Sequence, residues 1–230
     1  ARAAQVSETM GAEVRRNLEG LDVTTIHGSA RLQPDRKVAI DTDSGVRVVT
    51  ADVVLIATGS SPFRPPSIPF DDPDVFDSDT ILDIDSIPDS LVVIGGGPVG
   101  CEYASIFAAL GVEVTVIDGA PRLLGAMDRE ISQMVRASFV SMGMRVLLES
   151  PGARIERRDG ALVVETESGQ VLPTEKVLFA AGRVGNTDGL GLEEAGVDLD
   201  ERHRIVVDEH FRTTAPGIYA AGDVIGPPAL

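Results

Sequence analysis

At 230 residues the chain has room for one large domain or two modest ones, each with its own core. Its 36 acidic residues against 20 basic ones give a formal charge of −16, which repels nucleic-acid backbones and anionic lipid and excludes both as expected partners. With 43% hydrophobic and 24% charged residues, and no apolar run near the roughly 20 residues of a membrane span, the composition is that of a globular protein.

The acid is scattered rather than run into a tail, so its first reading is solubility. The single cysteine, Cys101, cannot form an internal disulfide and fits a reducing compartment. No basic, apolar leader opens the sequence, so the expected location is the cytoplasm. The sequence begins at Ala1 inside a helical pattern (Ala3–Asn17, closed by Gly20), as expected of a central piece of a longer polypeptide.

Short β-type segments follow at Val23–His27, Lys37–Asp41 and Gly45–Thr50, the last two joined as a hairpin by Asp43-Ser44-Gly45. Ala51–Ala57 is a continuous apolar run ending at Thr58-Gly59-Ser60, the pattern of a buried parallel strand. Proline-rich Ser61–Pro73 reads as an extended connection, and acidic Asp77–Asp89 as a crossing between domains. Leu91–Ile94 is a short strand, a helix runs from the glycines to Leu110 with Gly111 stopping it, and Val112–Ile117 is the next strand. Asp128 caps a helix running to about Met142. Strands then take over at Arg145–Leu148, Ala153–Arg158, Ala161–Thr166 and Lys176–Ala180, a β-meander on a βαβ core.

The Gly95, Gly97 and Gly100 spacing is G-x-G-x-x-G, placed between a strand and a helix. Gly95 allows the tight turn, Gly97 lets the backbone approach a pyrophosphate, and Gly100 lets helix and strand pack closely. Gly96 and Val99 complete the turn, and Pro98 falls in the first helical turn, where its missing N–H costs little. The helix start then offers amides and positive potential to a diphosphate. Asp118 lies 18 residues after Gly100, where an acid accepts hydrogen bonds from adenosine-ribose hydroxyls and repels a 2′-phosphate. NAD(H) is therefore expected over NADP(H). Arg122 leaves two readings open, a solvated surface arginine or a partner for a 2′-phosphate. Near the end, an apolar strand (Gly217–Ala221) delivers Gly222-Asp223 to a turn; Asp223 reads equally as a turn residue or as a ligand for hydroxyl groups.

Four segments, Ala57–Pro65 (ATGSSPFRP), Val92–Phe107 (VVIGGGPVGCEYASIF), Ala180–Asp188 (AAGRVGNTD) and Thr213–Gly226 (TTAPGIYAAGDVIG), together resemble the flavoprotein disulfide reductase family, the class-I pyridine nucleotide-disulfide oxidoreductases. Within it, Asp77–Leu82 (DSDTIL), Gly100–Phe107 and Gly185–Asp188 (GNTD) are most similar to the transhydrogenase branch, with dihydrolipoamide dehydrogenases and mercuric reductases as near relatives.

The resemblance implies an α/β fold: a Rossmann-like NAD(P) domain over 90–209, a parallel sheet with a β-meander. It is inserted in a partial FAD-binding domain of the same type, formed by 1–89 and 210–230. It implies that Gly28 and Thr58-Gly59-Ser60 lie against the adenosine part of FAD, and that Gly222-Asp223 meets its ribityl chain. Gly182 and Arg183 would line the nicotinamide site. Glu102 matches an acid that pairs with a lysine beside the flavin in many members; its position alone equally suits an ordinary first-turn glutamate.

Several family features are missing from this sequence: the FAD domain's own glycine turn, a redox dithiol, the flavin-side lysine, and a dimerisation domain bearing a catalytic histidine. His27, His203 and His210 match no such position, Cys101 reads as a packing residue, and no metal site is expected. The implied activity is hydride transfer between NAD(H) and NADP(H) through FAD, with the parent protein a homodimer. Two alternatives stand beside it, an NAD-dependent, dihydrolipoamide dehydrogenase-like disulfide reductase and a nucleotide-binding module without turnover.

Overall fold

A computed structural model describes residues 2–226; position 1 and positions 227–230 of the expected FAD segment lie outside the described residues. In chain order the elements begin with α1 (Arg2–Gly20), β1 (Ser29–Gln33), β2 (Lys37–Thr42), β3 (Gly45–Thr50) and β4 (Val54–Ile56). Next come β5 (Ser60–Pro62), β6 (Val75–Asp77), β7 (Ser90–Ile94), α2 (Pro98–Ala109), β8 (Glu113–Ile117), α3 (Arg129–Ser141) and β9 (Arg145–Leu147). The chain closes with β10 (Ala153–Arg158), β11 (Ala161–Thr166), β12 (Val171–Thr174), β13 (Lys176–Phe179), β14 (Arg183–Gly185) and β15 (Ile218–Ala220).

Two compact units divide the chain, one spanning Ser60–Val184 and the other made of the residues up to Gly59 and from Gly185 onward. The first is built on a five-stranded, wholly parallel sheet in the order β6-β13-β7-β8-β9. Side chains alternate across a strand, so β7 feeds two cores. Leu91 and Val93 face α2 and α3, packing with Phe107, Phe139 and Leu178. Val92 and Ile94 face the antiparallel meander β10-β11-β12, packing with Leu162, Val164 and Val177. A parallel sheet covered on both faces needs strands buried on both sides, which is why β7 reads as the continuous apolar run LVVI and why even Thr115 of β8 is buried. Each Leu or Val buried this way stabilises by about 1.5–3 kcal/mol. The Asp128 carboxylate caps α3 by accepting from the Glu130 amide at 2.7 Å, as expected.

The second unit carries the antiparallel meander β1-β2-β3 and a parallel pair, β4 with β15, over a core of Leu32, Ile56, Val197, Ile205, Ile218 and Val224. The Thr42↔Gly45 register confirms the expected hairpin.

Several expectations are corrected. Val23–His27 is not a strand; its residues find no pairing partner, and β1 starts only after Gly28. A methyl at Gly28 would overlap the Asp41 carbonyl oxygen on β2, so the glycine admits close strand packing. Val171–Thr174 is a strand despite Pro173, because β12 lies at the edge of its sheet and needs no outward N–H. The Ala51–Ala57 run pairs in parallel as expected but narrows to Val54–Ile56, and Leu55 is 62% exposed.

The chain passes from one compact unit to the other at Ser60 and Val184, while the NAD(P) domain is expected over 90–209 and the FAD domain over 1–89 with 210–230. The reason is β6: Val75–Asp77 pairs with β13 and draws the proline-rich connection and Asp77–Asp89 into the same body. Beyond Val184, Leu192, Val197 and Ile205 fill the other unit's core. Asp77–Asp89 is thus part of one unit and not a crossing.

Candidate functional site

The glycine turn joins β7 to α2, and each glycine has a distinct reason. Gly95 has φ of +116°, and a methyl there would stand 2.6 Å from the Ala180 carbonyl oxygen. A methyl at Gly100 would overlap the Gly95 carbonyl oxygen, so helix and turn can touch only if this residue is glycine. Gly97, the N-cap of α2, meets nothing within 4 Å: the space above it is open. Pro98 has no N–H to leave unpaired, and the Val99 and Gly100 amides precede the first helical bond, Cys101 N–H to Gly97 O at 2.9 Å. An N-cap facing open space with orphan amides is a surface for a diphosphate.

Asp118 closes β8 beside this turn. Its carboxylate accepts from the Gly96 amide and, at 2.7 Å, from the Ala120 amide. The acid thus shapes the loop it was expected to complete, and the remaining lone pairs of its two oxygens stay available to hydroxyl donors. An open cleft of about 830 Å³ lies here, with Ile94, Gly95, Ile117 and Asp118 on the strand side and Pro151 and Arg154 opposite. It sits at the carboxyl ends of the strands, where chain order reverses: β8 and β9 add on one side of β7 and β13 on the other. Open α/β sheets bind ligands at such a switch point.

Cys101 is buried, its Sγ 3.4 Å from the Gly96 carbonyl oxygen. Burial, then the charges of Asp118 and Glu102, push its thiol up to about 11, so it packs as a neutral group. Glu102 is exposed on α2, with no ion-pair partner among the described residues.

Gly182 has φ of +126° and accepts at its carbonyl from the Phe63 amide. The next residue, Arg183, is held by Ser60: its Nε donates to Ser60 Oγ and its Nη2 to Ser60 O, both at 2.7 Å. Arg183 Nη1 also reaches Ser78 Oγ at 3.3 Å. The Tyr103 hydroxyl on α2 donates to Ser78 O at 2.8 Å. Sequence reasoning missed this tie and its neighbour Asp77, whose buried carboxylate accepts from the Asp79 and Thr80 amides at 2.9 Å and from Arg64 Nε at 2.6 Å. The D-S-D-T spacing, an acid followed two and three residues on by turn-forming residues, was the available signal.

The expected flavin residues fall mostly in the other unit. Thr58 Oγ1 donates to Asn186 O at 2.8 Å, Asn186 Nδ2 donates to Thr58 O at 2.9 Å, and Asn186 N donates to Gly59 O at 3.0 Å. Gly59 and Gly222 turn at φ of +73° and +75°, and a methyl on Gly222 would meet nothing within 4 Å. Half-buried Asp223 is the second residue of a short 3-10 turn, Gly222–Ile225, that follows β15. Ser60 belongs to the Ser60–Val184 unit. Among the described residues no group of three or more His, Cys, Asp or Glu side chains converges as a metal site. Among the described residues no helix is long and apolar enough to cross a membrane.

A parallel sheet whose glycine turn, closing acid and cleft coincide at a switch point defines a Rossmann-like α/β protein of the dinucleotide-binding class. The sequence profile described as pyridine nucleotide-disulphide oxidoreductase matches residues 2–230, and the chain belongs to that family. It is 42% identical over 209 residues to the soluble pyridine nucleotide transhydrogenase of Pseudomonas putida strain GB-1, covering 90% of this chain and 45% of that one. The Pseudomonas aeruginosa transhydrogenase of strain LESB58 is 42% identical over 204 residues, 88% of this chain and 44% of the relative. Among solved structures, LpdA from Mycobacterium tuberculosis superposes with a TM-score of 0.92 at 32% identity, covering all of this chain and 52% of that one. The Escherichia coli flavoprotein disulfide reductase RclA, as its Cu(II) complex, gives a TM-score of 0.89 at 29% identity, with the same coverage. The chain spans about half the length of the curated relatives it matches.

Proposed function

We propose that the Ser60–Val184 unit binds NAD(H), with the diphosphate over Gly95–Gly100 and the adenosine ribose on Asp118. The polypeptide to which it belongs then acts as a flavin-dependent oxidoreductase that passes hydride between NAD(H) and NADP(H). The observation that carries the nucleotide reading is the open space above Gly97 beside an acid seated at the end of β8. The names of the transhydrogenase relatives support the activity.

FAD, when bound, supplies the electron-accepting ring on which such a transfer depends. The chain's own contribution is positioning. Gly59 and Gly222 offer left-handed backbone, and Gly222 has open space around it; Gly28, Thr58 and Asp223 complete the flavin-side set of that unit. In the nucleotide unit Gly182 leaves room beside Phe63, and Arg183 braces the strand that carries it. Glu102, exposed on the helix that receives the diphosphate, is the flavin-side acid of this reading. A second reading, an NAD-dependent disulfide reductase, is favoured by Asp118, which discriminates against a 2′-phosphate, and by the resemblance to RclA. A cysteine pair in the parent upstream of Ala1 decides for it, and its absence decides for the transhydrogenase.

Calorimetry on the 230-residue chain tests the nucleotide site. NADH is expected to bind about tenfold or more tightly than NADPH, a difference near 1.4 kcal/mol. Asp118→Asn keeps an oxygen acceptor for the loop amides while removing the charge, so it should narrow that gap severalfold. An unchanged ratio removes Asp118 from the ribose site.

A further inference from the structure

Sheet order gives the dinucleotide cleft two distinct ends. β8, β7 and β13 lie side by side, so their carboxyl ends set Asp118, Gly95 and Ala181 in a row along the cleft. With the adenosine ribose on Asp118 and the diphosphate over the Gly95 turn, the second nucleoside is directed past Ala181 towards Gly182. Space is open there: a methyl built on Gly182 would meet only Phe63 Cβ, at 3.8 Å. A glycine at φ of +126° is also the most permissive point of that backbone, so its position depends on what anchors its neighbours.

The anchor is Arg183. Ser60 holds its guanidinium on one side, through Oγ and O, and Ser78 Oγ accepts from Nη1 at 3.3 Å on the other. Asp79 adds a carboxylate 3.8 Å from Nη1. Ser78 is held in turn by Tyr103, in the second turn of α2, whose hydroxyl donates to Ser78 O at 2.8 Å. Burial, then the charges of Asp79, Glu102 and Asp77, push the phenol up and keep it a donor. Because α2 is the helix that receives the diphosphate, Tyr103, Ser78 and Arg183 link the diphosphate turn to the backbone facing the second nucleoside. Hydride transfer demands such a link, since a displacement of about 1 Å in a reacting group can cost about a hundredfold in rate.

We propose that Tyr103 is a positioning residue for the nicotinamide, acting through Ser78 and Arg183 to fix Gly182 relative to the diphosphate turn. The inference rests on the NAD(H) reading above and adds which half of the coenzyme the β13 end of the cleft holds. A bond that only stabilised the fold would affect all parts of the ligand alike.

The test is calorimetry on the 230-residue chain with NADH and with ADP-ribose, which lacks only the nicotinamide ring. The wild type should bind NADH about tenfold more tightly than ADP-ribose. Tyr103→Phe removes one hydroxyl and should weaken NADH about fivefold, the scale of a single hydrogen bond, while ADP-ribose stays within about twofold. Arg183→Lys keeps the charge but loses the fork, should act in the same direction, and serves alone if Tyr103→Phe does not fold. The double variant should be no weaker than the worse single one, because both act through Ser78. In each variant the fluorescence of bound NADH should move towards that of the free coenzyme. Unchanged NADH affinity in the variants, equal weakening of both ligands, additive losses, or a wild type that does not distinguish NADH from ADP-ribose overturns the role of Tyr103. Failure of both ligands to bind the wild type instead refutes the nucleotide cleft itself, and this inference with it.

Discussion

Gly100→Ala should cost the protein at least about 3 kcal/mol and lower its Tm by roughly 6–12 °C, because the added methyl meets a backbone carbonyl and not a movable side chain. Neither Gly95 O nor the first turn of α2 can retreat cheaply. The carbonyl belongs to a residue whose amide is bonded to Ile117 O at 2.8 Å, and the neighbouring Gly96 carbonyl accepts from the Leu124 amide at 2.8 Å. NADH binding should be lost with the turn. Gly97→Ala provides the contrast. Its methyl touches nothing in the protein and its φ of −76° suits any residue, so stability should stay within about 1 kcal/mol of wild type. NADH affinity should nevertheless fall about tenfold, since the methyl stands where the diphosphate approaches. Thermal melts and calorimetry on the two variants separate the roles; a Gly97→Ala protein that binds NADH normally would place the diphosphate elsewhere.

Asp77→Ala should destabilise the same unit by about 2–4 kcal/mol without any contact to nucleotide. Its carboxylate is buried and gathers the Asp79 and Thr80 amides, the Thr80 hydroxyl at 3.0 Å and the Arg64 guanidinium. Removing it orphans those donors and frees the turn whose Ser78 holds Tyr103 and Arg183. Burial on its own raises the carboxyl, but the two amides, the hydroxyl and Arg64 together outweigh it and hold Asp77 below its ordinary value. With the native value depressed, the stabilisation is whole above the unfolded value near pH 4 and fades as pH falls through the lower native one. Urea melts should therefore show a large gap between wild type and Asp77→Ala at pH 7 and a smaller one at pH 3. A gap independent of pH would mean that the ionised carboxylate is not what holds the turn.

Asp77 also marks where sequence reading stopped short. DSDTIL served as a mark of resemblance, whereas the fold makes its first acid a buried hub. A turn motif announces local bonds but not the arginine thirteen residues upstream that completes them. Arg129 and Arg136 are similar: on paper they are ordinary helix-surface residues, and only the return of the 121–123 segment beside α3 encloses them with Arg122.

What could be read directly is what local rules govern. β7, α2, β8 and the Asp128-capped α3 followed from apolar runs, a proline at a helix start, a capping acid and glycines at fixed intervals, all of which act over a few residues. The position of β13 between β6 and β7, the edge position that tolerates Pro173, the failure of Val23–His27 to pair and the breaks at Ser60 and Val184 came only with the folded chain. Strand order and burial are settled by pairing between segments far apart in sequence. Even the need for glycine at position 100 is of this kind in its cause: the spacing names the residue, but the carbonyl it must avoid is set in place by the packing of α2 on the turn.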